Sequence, residues 1–201
     1  INLETLDCIM EIAKLSVLFE YLTAVDHSAS LFKWEQCAAL IELFERTPNV
    51  QQLKINFGND ELIDIFFDAL LQMRSLVSLN VTFAGNFTLT TFSSAVKQMG
   101  NTLKFVELCG PENALEMLTD FCNDAVPHLR KLRKLRIVPA LTQDQATGLC
   151  HGLVNASLLE SLSVRFREND SIKQLTKLFK SSALRKIRTL ALFVGDLQNT
   201  D

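Results

Sequence analysis

Apolar and polar residues alternate along this chain in a pattern of the form apolar-x-x-apolar-x-apolar. Six near copies stand at Val50/Leu53/Ile55, Leu76/Leu79/Val81, Leu103/Val106/Leu108, Leu132/Leu135/Ile137, Leu159/Leu162/Val164 and Ile187/Leu190/Leu192. Their first positions are 26, 27, 29, 27 and 28 residues apart, a spacing regular enough to define a repeat. Apolar residues two apart, with polar neighbours, put one face of a short strand into a core. Leu135 and Ile137 would point inward, Lys134 and Arg136 outward. The pattern predicts strands at about 53–55, 79–81, 106–108, 135–137, 162–164 and 190–192.

Helical spacing follows each strand. Phe66 and Leu70 continue from Leu62 in the first unit, and Phe92, Val96 and Met99 from Leu89 in the second. Leu115, Leu118 and Cys122 come next, then Ala146, Leu149 and Leu153, then Ile172, Leu175 and Phe179. Strands that recur after helical crossovers in one sense are parallel. One strand–helix unit cannot cover its own apolar face, but stacked units cover one another. The expected fold is therefore α/β: a curved solenoid with parallel strands on the concave face and helices on the convex face.

Breakers fall where loops are needed, at Gly58-Asn59-Asp60, Ala84-Gly85-Asn86, Gly110-Pro111 and Val138-Pro139. Asp60 and Ser171 are candidate N-caps. Residues 1–49 form an irregular beginning, with a strand expected at Ile12/Leu15/Val17. A helix follows there, presenting Trp34, Cys37, Ala38, Ile41 and Phe44 and ended by Thr47-Pro48. Residues 50–201 hold about five and a half regular units, so the whole of 1–201 reads as one continuous array. The chain begins at Ile1 rather than Met, and is expected to be a piece of a longer protein.

The triples and their period resemble the leucine-rich repeat family, in its long, helix-containing form typified by ribonuclease inhibitor. The family places Asn or Cys three positions after the last apolar strand residue. Here Gly58, Ala84, Pro111, Ala140, Arg167 and Gly195 occupy that place, so the repeats are divergent. The resemblance implies a protein–protein interaction module without catalysis, binding a partner through its concave face. It also admits the substrate-recognition part of a ubiquitin ligase, of the F-box or PRAME type, and the ligand-sensing repeats of an NLR immune receptor. A GTPase activator fits less well, because it needs an exposed arginine finger.

Composition narrows this further. A net charge of −3 gives the chain as a whole no nucleic-acid footprint. No apolar run approaches the roughly 20 residues that span a bilayer. The 5 cysteines are odd in number and widely spaced within apolar patterns, as in buried thiols of a reducing compartment. A cytoplasmic or nuclear location is expected. His27, His128 and His151 are scattered, and no P-loop, G-x-G-x-x-G or nucleophile elbow is present. No catalytic residue, metal or cofactor is expected, nor any small-molecule substrate.

One constellation rises above this background. Five of the 7 residues from Arg130 to Arg136 are basic. Strand alternation projects Lys134 and Arg136 onto the concave face, with Glu107 opposite Arg136 on the preceding strand and Arg165 matching Val138 on the next. Phe105 and Lys54 belong to the same outward row. Lys134, Arg136, Arg165, Glu107, Phe105 and Lys54 are therefore the candidate partner-binding residues, suited to a protein with an acidic segment. The plainer alternative is a solvated strand edge carrying a Glu107–Arg136 pair worth about 0.2–1 kcal/mol.

Overall fold

The computed structural model describes residues 24–27, 41, 42, 44, 47, 49–57, 66, 67, 70, 71, 73–83, 90–110, 115–180 and 184–194. Seven strands form one sheet: β1 (Ala24–His27), β2 (Gln52–Phe57), β3 (Ser78–Phe83), β4 (Phe105–Cys109), β5 (Lys134–Leu141), β6 (Ser161–Phe166) and β7 (Thr189–Val194). They pair in chain order, and every pair is parallel. All six strands expected from the triples are present, in the register the triples imply. Leu53, Leu79, Val106, Leu135, Leu162 and Leu190 lie side by side across the sheet.

β1 is a strand the repeat pattern did not reveal. Its Val25 is buried and stands opposite Leu53. Leu22-x-x-Val25-x-His27 fits the triple except at its last position, where His27 replaces an apolar residue and hides the copy. The strand expected at Ile12/Leu15/Val17 lies outside the described residues, as do the first two breaker loops with Asp60.

Two expectations are corrected. Val138-Pro139 does not end its strand; β5 continues through it to Leu141. The ladder with β6 slips between Ile137 and Ala140, because Pro139 has no N–H to donate and the two residues are accommodated as a bulge. Nor is Ser171 the cap of the last helix, which spans Asn169–Lys180 and so holds Ser171 within its first turn.

The described helices are α1 (Thr90–Gln98), α2 (Leu115–Asp120), α3 (Gln143–Leu153) and α4 (Asn169–Lys180). Ile41, Glu42 and Phe44 are helical, and Thr47 has left the helix, as the Thr47-Pro48 stop predicts. α2 widens into a π-helical turn at Phe121–Ala125, with the Val126 N–H bonded to the Phe121 carbonyl. Pro127, next in line, lacks the N–H needed for an α-helical bond. α3 starts with a capping box, Thr142 Oγ1 accepting from the Gln145 N–H and Gln145 Oε1 from the Thr142 N–H. The buried Gln145 amide then donates to Thr119 Oγ1 of the preceding unit at 3.1 Å.

Between sheet and helices runs one continuous apolar core. Phe44, Phe66, Phe57, Phe67, Phe92 and Phe121 make a chain of ring contacts with centroids 4.8–5.8 Å apart, crossing successive units. Phe57, Phe83 and Phe166 add a fourth inward position two residues beyond their triples. No described helix is long and apolar enough to cross a membrane.

Candidate functional site

Because side chains alternate and the strands are in register, the outward residues form rows across the face of the sheet turned away from the core. One row is Ala24, Gln52, Ser78, Phe105, Lys134, Ser161 and Thr189. The next is Asp26, Lys54, Asn80, Glu107, Arg136, Ser163 and Ala191. From β2 to β7, none of these residues is buried.

Five of the six candidate residues fall in these two rows. Arg136 is not a free charge: its Nη1 lies 2.7 Å from Glu107 Oε1. Lys54 Nζ is paired likewise with Asp26 Oδ2 at 3.4 Å, a partner hidden from sequence reading along with β1. Both pairs have the acid on the earlier strand and the base on the later one. Their side chains remain in contact with solvent, 23–49% exposed, so each pair contributes at most about 1 kcal/mol to stability. Lys134 is different. It is exposed, and makes no ion pair among the described residues.

Phe105 stands directly opposite Lys134, 40% exposed. That is a large apolar surface to leave in water within a polar row. Ser78, Asn80, Phe105, Glu107 and Lys134 line a shallow hollow, and Asp26, Gln52 and Lys54 line a second one beside it. Farther along β2, Asn56 Oδ1 is buried without a hydrogen-bond partner among the described residues.

Arg165 is placed differently from the expectation. The β5 bulge sets it opposite Ala140, not Val138, and beside Phe193 on β7. It is half-buried and belongs to a third row, displaced toward the strand ends from Lys134 and Arg136.

Chemistry is sparse here. Cys109 Sγ faces Glu107 Oε1 at 3.8 Å. Burial, then the Glu107 charge, push its thiol pKa up, opposite to the shift that activates a nucleophile. Among the described residues no three His, Cys, Asp or Glu side chains group as a metal site would need. The arrangement offers paired charges, the Lys134 ammonium, the exposed Phe105 ring, a second exposed ring at Phe193 on β7, and hydroxyl or amide groups. No protein-family model matches the chain, and no curated protein matches it.

Proposed function

We propose that this chain is an array of long, helix-containing leucine-rich repeats, and that the outward face of its sheet is concave and binds a protein partner without chemistry of its own. Supporting the repeat reading is the seven-stranded parallel sheet in chain order, one strand per period. The observation that carries the binding reading is the exposed Phe105 ring beside the unpaired Lys134. An aromatic anchor next to a cation, ringed by residues already satisfied, is how binding energy concentrates at the centre of an interface. The partner then presents an apolar side chain next to a carboxylate. Arg136 and Lys54 serve as polar surroundings, since their charge is taken up by Glu107 and Asp26. Arg165 contributes at the margin. An intracellular location, cytoplasmic or nuclear, accords with the free thiols of Cys109, Cys122 and Cys150.

The test is affinity for the partner captured by the chain. Phe105→Ala/Lys134→Glu weakens binding by about tenfold or more and leaves the melting curve unchanged, as both side chains are exposed. Unchanged affinity in that variant overturns the reading.

A further inference from the structure

All strands run the same way, so the turns that lead into them lie along one edge of the sheet. From β4 onward each such turn has the same four-residue frame, with the apolar anchor third: Asn101-Thr102-Leu103-Lys104, Arg130-Lys131-Leu132-Arg133, Ser157-Leu158-Leu159-Glu160 and Arg185-Lys186-Ile187-Arg188. Two of them are the same motif, Arg-Lys-apolar-Arg, separated by one unit. Their register is fixed by backbone hydrogen bonds, Glu160 N–H to the Arg133 carbonyl at 2.7 Å and Arg188 N–H to the Glu160 carbonyl at 2.8 Å. All six cations are exposed. They belong to a chain of net charge −3, so they are concentrated here against its overall composition.

Their immediate surroundings are unequal. Glu160, between the two motifs, holds Arg133 at 3.3 Å. Among the described residues Arg130, Lys131, Arg185, Lys186 and Arg188 make no ion pair. A helix end does not account for the second cluster: α4 stops at Lys180, five residues before Arg185, and its C-terminal field falls off within the last turn. The first cluster follows the helical run that ends at His128. The edge thus carries two positive clusters whose last residues, Arg133 and Arg188, lie two strand spacings apart, about 10 Å, with the Glu160 carboxylate between them.

We infer that this edge is a second interaction surface, for an acidic protein segment whose carboxylates come in two groups separated by uncharged residues. In an extended chain, residues three apart are separated by about 10 Å, which matches the clusters. A carboxylate midway would meet Glu160, already shared with Arg133 at 3.3 Å, and find no free cation there. That is why a polynucleotide fits poorly: its charges follow at about 3.4 Å of rise per strand, and one necessarily faces Glu160. An anionic bilayer, evenly charged, meets the same obstacle. This inference uses no residue of the Phe105–Lys134 face, so either can fail alone.

The test uses the full chain and a fluorescent peptide with two Asp-Glu pairs joined by a Gly-Ser spacer. Uninterrupted poly-Glu, duplex DNA and phosphatidylserine vesicles are compared with it. The spaced peptide binds most tightly, and its affinity falls as salt shortens the Debye length. Arg185→Glu/Lys186→Glu and Arg130→Glu/Lys131→Glu each weaken it by about tenfold. Glu160→Gln narrows the gap between the spaced peptide and poly-Glu. Phe105→Ala leaves the spaced peptide's affinity unchanged. Failure of the spaced peptide to bind, indifference to both charge reversals, or tighter binding of DNA or vesicles overturns the inference. Unaltered melting curves for the exposed variants exclude misfolding as the cause of lost binding.

Discussion

Leu135 shows what one residue does in this fold. It is fully buried at the middle of the sheet, with Val106 on one side and Leu162 on the other. Leu192 occupies the corresponding inward face on β7, where no described strand lies beyond, and is only partly buried. Leu135→Ala is expected to cost about 2–5 kcal/mol, and Leu192→Ala distinctly less; chemical denaturation of the two variants measures the difference. Equal losses would mean that burial does not grow inward along the array. The thiols give a pH dependence. Burial raises the Cys150 pKa from the ordinary 9.0 to about 11, and raises that of Cys122 further, with Cys150 as a second cause. A thiol that ionises more readily unfolded than folded releases its proton on unfolding, so stability falls as pH rises above about 9. Urea titrations across that range, repeated on Cys122→Ala/Cys150→Ala, measure the share due to these two groups, which is predicted to flatten the pH profile.

Elements are held together here by close approach as much as by area. A Cβ at Gly100, just after α1, would collide with the His128 carbonyl oxygen of the following unit. At Gly152 on α3 it would stand 2.9 Å from Val126 Cγ1 and 3.0 Å from the Pro127 ring. Gly100→Ala is predicted to destabilise by about 1–3 kcal/mol, as overpacking does, even though alanine favours helix; a melting temperature equal to or above that of the wild type would contradict this. The same scale shows what a linear pattern conveys. Strand positions and their register were legible because period-two alternation and a near-constant repeat both encode the sheet. β1 was not, because His27 breaks the apolar triple. The bulge was not either: Val138-Pro139 reads as a stop, and only the ladder with β6 shows the chain passing through a proline and resuming. The Thr142–Gln145 capping box was present in the sequence as T-x-x-Q, and is the kind of signal local reading can find.

For the whole molecule, the sheet grows by one strand per unit, so local stability depends on neighbours and the exposed face lengthens with the array. Which residues share that face was legible from alternation alone, and Phe105, Lys134 and Arg136 fall where it places them. Which of them carry an available charge was legible in part. The Glu107–Arg136 pair follows from the register and is present, whereas the neutralisation of Lys54 by Asp26 depends on a strand the pattern concealed; Lys134 is left to act. The account rests on this face being where a partner sits. Photocrosslinking tests it most directly, with a benzoyl-phenylalanine placed at Phe105 on the sheet face and, separately, at the exposed Lys97 on α1. The account predicts partner adducts from position 105, lost on Lys134→Glu, and none from position 97. Adducts from position 97 with none from position 105 would contradict it and move the binding surface to the helices.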